Sequence, residues 1–178
     1  EPYRIEGKKT LGLEIALQLG WRLPHAVIYP TGGGTGLIGM WKAFQELKAA
    51  GWVEGDLPRM FTVQSSGCAP IVRAFEAGDD SATAWADPWT VASGLRVPGP
   101  LGDRIMLRTL RDSEGGAVAV DDDKLCSAAK YATALEGIDF CPEGGAAIAA
   151  AAALKSLGQL APDQTVVLFN TGAGWLYR

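Results

Sequence analysis

The segment that most constrains this chain is Thr31-Gly32-Gly33-Gly34-Thr35-Gly36, where three consecutive glycines separate two different apolar patterns. Before it, Ala26-Val27-Ile28-Tyr29 is a short continuous apolar run that breaks on Pro30, the pattern of a strand buried on both faces. After it, Leu37, Ile38, Met40, Trp41, Phe44 and Leu47 recur at helical spacing up to Gly51. The spacing predicts a strand over 26–29, a glycine turn, and a helix over 35–50. A turn without side chains aims several backbone N–H groups at one spot at the positive end of a helix dipole, which makes an anion site, usually for phosphate. The dipole supplies roughly 0.3–2 kcal/mol, so several N–H hydrogen bonds must supply the rest. Thr35 adds a hydroxyl at the N-cap position. A tight turn packed on neighbouring backbone is the purely structural alternative.

The same alternation continues along the chain. A helical stripe over 8–19 ends at Gly20, and strands are expected over 59–65, 116–121 and 165–170. Between them, helices are expected over 69–78, 102–113, 122–136 and 143–158. Strands alternating with helices of about ten residues imply an α/β fold in three layers, a parallel sheet flanked by helices on both faces with right-handed crossovers. The segment from Asp79 to Pro100 fits neither element. It is rich in proline and glycine and carries Trp85 and Trp89, and long loops of this kind often serve function or an interface. The first residues lead into a helix with no strand before it, so the chain is expected to be the second part of a larger protein.

Composition narrows the function classes. With 178 residues, 20% of them charged, and a net charge of −4, the chain suits a globular protein, and nucleic acid is not an expected partner. The longest apolar run, Ala146 to Leu154, is far short of the roughly 20 residues that cross a bilayer, so no membrane partner is expected. No basic, then apolar, then small-residue order marks a signal peptide. Cys68, Cys126 and Cys141 are too scattered for a disulfide framework or a paired metal motif, which fits plain thiols in a reducing cytoplasm. Asp121-Asp122-Asp123 reads as an N-cap with an acidic first turn, and the spacing of a calcium loop is absent, so no metal is expected. The single histidine, His25, precedes a buried strand and is expected to be structural.

Two familiar phosphate loops compete for the glycine turn. A P-loop needs a lysine directly after its last glycine, and none follows Gly36 or Gly39. The dinucleotide fingerprint does match Gly34-Thr35-Gly36-Leu37-Ile38-Gly39, yet the next strand ends on Gln64-Ser65-Ser66 with no acid for a ribose hydroxyl.

A third reading comes from likeness. PTGGGTGLIGMWKAF resembles the phosphate-binding loop of the fold-type II pyridoxal-phosphate enzymes, with wording most similar to the threonine synthase family; EPYRIEGKKT and the final NTGAGW resemble that family too. The resemblance implies a partial fold-type II large domain in which Gly32, Gly33, Gly34, Thr35 and Gly36 hold the phosphate of pyridoxal 5'-phosphate. It also implies that Thr171 hydrogen-bonds the pyridine nitrogen. Glu143 is similar to a residue lining the cofactor ring, although a first-turn carboxylate favoured by the dipole is the preferred explanation.

The implied activity is that of a carbon-oxygen lyase acting on phosphates. It takes O-phospho-L-homoserine, a phosphorylated amino acid, and water to L-threonine and phosphate, in a homodimer. A threonine or serine dehydratase, a β-replacing synthase and a non-catalytic module for a phosphorylated metabolite are the alternatives. The family's cofactor-bearing lysine lies upstream, with a smaller domain, in a segment this sequence does not contain. Lys42, Lys48, Lys130 and Lys155 lie on expected helix faces and Lys124 in an acidic helix start, while Lys8 and Lys9 read as a solvated helix start, with a place near a substrate anion as the alternative. The chain is therefore expected to be the C-terminal part, over 1–178, of a cofactor-binding large domain, inactive alone. Trp175-Leu176-Tyr177 stands where the family has a lysine after its glycine motif.

Overall fold

The apolar runs become strands covered on both faces. In the computed structural model, which describes residues 2–177, β1 (Ala26–Pro30) and β2 (Arg59–Ser65) pair in parallel from Ala26 opposite Arg59 to Pro30 opposite Val63. β3 (Gly116–Val120) adds to the outer side of β2 and β4 (Val166–Leu168) to the outer side of β1, both parallel, giving the order β3-β2-β1-β4. The fold class read from the sequence is the one observed. Among the described residues, no helix is long and apolar enough to cross a membrane.

Two helical layers complete the fold. α1 (Pro2–Gln18), α2 (Thr35–Ala49), α3 (Pro70–Ala77) and α4 (Asp103–Asp112) share one core with the sheet, in which Val27 and Met60 meet Leu37, Phe44, Ile71, Leu107 and Leu110. On the other face, Ile28, Phe61 and Val63 pack on α5 (Asp122–Glu136) and α6 (Pro142–Ser156). The alanine run is the inner face of α6: Ala146, Ala147 and Ala150 are fully buried, and their small side chains let the helix lie close to the sheet.

The main departures from the sequence reading are two element boundaries and one helix cap. α1 starts at Pro2, because its first turns are held by tertiary contact: the Ile5 carbonyl and Lys8 lie directly against Gly39 of α2. β4 has only three residues, since after the Phe169 N–H donates to the Ile28 carbonyl at 3.3 Å, Asn170 turns its side chain to Cys141. Asp121 occupies the N-cap of α5 without capping it; its carboxylate instead accepts from the Ser66 hydroxyl at 2.6 Å.

The segment from Asp79 to Pro100 holds only a 3-10 turn at Ser93–Leu95, yet it is firmly attached. The Arg73 guanidinium stacks on Trp85 at 4.7 Å, while the Thr90 hydroxyl (2.7 Å) and the Val91 N–H (2.8 Å) both donate to Asp122. One tryptophan of this loop thus serves internal packing, and Trp89 remains exposed.

This topology places the site. The chain runs from β1 through β2 to β3 across one face, then returns over the other face to β4 beside β1. The connections leaving the carboxyl ends of β1 and β4 therefore diverge, opening the crevice in which doubly wound sheets bind ligands.

Candidate functional site

The crevice is a cleft of about 320 Å³ lined by Tyr29, Pro30, Gly32 to Gly36, Gly94, Leu95, Glu143, Thr171 and Tyr177. All seven residues singled out from the sequence, from Gly32 through Gly36 together with Glu143 and Thr171, meet there.

Each glycine of the turn has its own physical reason. A Cβ on Gly32 would lie 2.3 Å from the Gly94 carbonyl oxygen, and one on Gly36 would lie 2.3 Å from the Tyr29 hydroxyl. Gly34 has φ +78°, the left-handed region that penalises side chains, and a Cβ there would strike Met106. Gly33 alone among them has ordinary φ and no protein atom within 4 Å of where its Cβ would be. The fold does not require a glycine at 33. The N–H groups of Gly32, Gly33, Gly34 and Thr35 find no acceptor among the described residues. The first hydrogen bond of the helix is Ile38 N–H to the Gly34 carbonyl at 3.0 Å. Gly34, not Thr35, is the N-cap; Thr35 is the first helical residue, because the left-handed turn at Gly34 starts the helix one residue earlier than a hydroxyl cap would.

The facing wall comes from α6 and the end of β4. Glu143 is only 3% exposed; one carboxylate oxygen accepts from the Gly94 N–H at 2.8 Å, and the other, Oε2, has no hydrogen-bond partner. The bond to Gly94 ties the helix to the loop across the cleft, so Glu143 does not cap its own helix. That task falls to Cys141, whose sulfur accepts from the Gly144 N–H at 3.3 Å. The Cys141 thiol also reaches Asn170 Oδ1 at 3.2 Å and lies 4.0 Å from the Thr171 hydroxyl. Cys141 is thus no plain thiol: it holds the residue beside Thr171. Tyr177 closes the rim, and burial, with the Glu143 carboxylate beside it, pushes its phenol up to about 12. Burial likewise raises Tyr29.

Sequence reasoning missed Tyr29, Gly94, Leu95, Cys141 and Tyr177 as parts of this site. Tyr29 was visible as the last apolar residue before the turn. Gly94 and Leu95 come from an irregular loop whose path no periodicity encodes. Other candidates lie elsewhere: Lys9 and Lys42 pair with Glu6 and Glu46 between α1 and α2, and His25 accepts from the Thr165 N–H at 3.0 Å. Among the described residues, no lysine lines the cleft. A larger groove of about 760 Å³ at the amino edge of the sheet is walled by residues of mixed charge such as Arg22, Glu54 and Asp112.

Residues 1–172 match the sequence profile of the family described as pyridoxal-phosphate dependent enzyme. This chain belongs to that family. As a pyridoxal-phosphate dependent enzyme chain it is 36% identical, over 171 residues, to the threonine synthase of Methanosarcina acetivorans, a match covering 96% of this chain and 42% of that protein. To the threonine synthase of Methanocaldococcus jannaschii it is 34% identical over 173 residues, 97% of this chain and 42% of that one. The crystal structure of a T.th. threonine deaminase shares the fold with a TM-score of 0.73 at 28% identity, covering 97% of this chain and 57% of that chain. The chain spans less than half the length of the curated relatives it matches. Dependence on pyridoxal phosphate, which the resemblance implied, is a property of the family itself.

Proposed function

We propose that this chain is the C-terminal part of the cofactor-binding domain of a threonine synthase-like enzyme. In this reading the amides of Gly32, Gly33, Gly34, Thr35 and Gly36 hold the phosphate of pyridoxal phosphate, and the Thr171 hydroxyl faces the pyridine nitrogen. The observation that carries it is Gly33: a glycine that neither backbone conformation nor packing demands, amid amides without acceptors, at the start of a helix. The residues present fit the group. When bound, pyridoxal phosphate supplies an electron sink for carbanion chemistry.

What this chain contributes is binding and orientation. The helix dipole and free amides neutralise phosphate charge, and a neutral hydroxyl at Thr171 leaves a pyridine nitrogen largely unprotonated. The lysine that carries the cofactor comes from outside these residues, so the chain by itself does not turn over substrate. Threonine synthase relatives at 36% and 34% identity favour O-phospho-L-homoserine as the substrate. The test uses the longer protein that carries this chain: release of phosphate with threonine from O-phospho-L-homoserine is expected. Release of ammonia and a 2-oxo acid from threonine or serine would assign the dehydratase chemistry instead.

A further inference from the structure

Gln64 is fully buried near the end of β2, and the phosphate site as described makes no use of it. Its carboxamide is satisfied at both ends. Nε2 donates to the Thr31 carbonyl at 3.1 Å, while Oε1 accepts from the N–H groups of Ile71 (2.9 Å) and Val72 (3.3 Å). Those two amides open α3 just after Pro70, so one end of the side chain caps a helix and the other grips the residue before Gly32. Thr31 is pinned on its remaining sides, its N–H donating to the Val63 carbonyl at 2.9 Å and its hydroxyl to the Tyr29 carbonyl at 2.8 Å.

We infer that Gln64 is a positioning residue that sets the direction of the glycine turn's first donor and so tunes affinity for the cofactor phosphate, an inference that rests on the cofactor reading above. The Thr31 carbonyl and the Gly32 N–H belong to one planar trans peptide and point in opposite directions. Holding that carbonyl inward on Gln64 therefore turns the Gly32 N–H away from the core. This plane turns about ψ of Thr31 and φ of Gly32, and a glycine leaves the second rotation with little steric resistance. A rotated plane would present a carbonyl oxygen where an anion needs a donor. Only a group that donates at one end and accepts at the other fits between Thr31 and α3, which an amide does and a hydrocarbon or a carboxylate does not.

Two variants of the longer protein test this by spectroscopic titration of the apoprotein with pyridoxal phosphate. Gln64→Leu is expected to weaken binding roughly tenfold, the scale of one net hydrogen bond, at every pH. Gln64→Glu is expected to bind like the wild type at acid pH, where a protonated carboxyl donates to Thr31, and to lose affinity relative to the wild type as the pH rises and the carboxyl ionises. Taking the ratio to wild type at each pH removes the cofactor's own titration. Amide exchange of the apoproteins supplies a second reading: the Thr31 N–H, which donates to the Val63 carbonyl, should exchange faster in the glutamate variant at high pH, with α3 unchanged. Both variants binding within about twofold of wild type across the pH range would overturn the role of Gln64. Should Gln64→Leu not fold, the pH-dependent ratio of Gln64→Glu decides alone. A wild-type protein that takes up no pyridoxal phosphate would overturn the cofactor reading itself.

Discussion

Gly34 and Gly33 are neighbours with the same side chain and opposite obligations. At Gly34 the positive φ of 78° and the contact with Met106 make glycine a requirement of the fold. Gly34→Ala is expected to destabilise the protein by about 1–2 kcal/mol through the left-handed backbone alone, measured as a lower denaturation midpoint with an unchanged slope. Gly33 carries no such obligation, so a change there acts on the ligand and spares the fold. The sequence showed that the turn is bare, but not which glycine answers to the fold and which to a ligand. That distinction depends on Gly94, Met106 and Tyr29, residues that only tertiary structure brings against the turn. Cys141 was equally hidden: a lone cysteine has no signature for the task of capping α6 and holding Asn170.

The helices and strands themselves were largely legible. Continuous apolar runs marked β1 and β2, and helical spacing marked α2 to within a residue, because in a doubly wound sheet burial on both faces imposes those patterns directly. The beginning of α1 was not, since it depends on contact with Gly39 rather than on its own periodicity. That contact is flanked by a surface network in which Glu6 and Glu46 pair with Lys9 and Lys42. Their lysine partners lower both carboxylates from the ordinary 4.5. A lowered folded-state value means that the network stabilises above the unfolded-state pKa and that this contribution disappears as the pH falls through the folded-state values. Acidification below about pH 4.5 is therefore expected to loosen α1 from α2 before the sheet opens, seen as earlier amide exchange in α1; Lys9→Met should remove much of that pH dependence. Uniform exchange of α1 and β2 across the same range would contradict this.

On the scale of the whole molecule, order β3-β2-β1-β4 turns a local motif into a site. The glycine turn follows β1 and Thr171 follows β4, far apart in sequence, and the reversal of strand order makes them neighbours across one cleft. Sequence pattern was enough to expect a parallel sheet and a phosphate at the turn. It was not enough to expect Glu143 reaching over to Gly94, because that bond spans two layers and an irregular loop. The central claim, that this cleft holds pyridoxal phosphate by the bare amides of residues 32–36, is tested most directly by titrating the longer protein with the cofactor in wild-type and Gly33→Asp forms. The aspartate enters space free of protein atoms and places a negative charge against the phosphate. The account predicts saturable uptake with visible absorption by the wild type, and loss of uptake in Gly33→Asp with the same thermal unfolding temperature as the apoprotein. Equal uptake by both would contradict it.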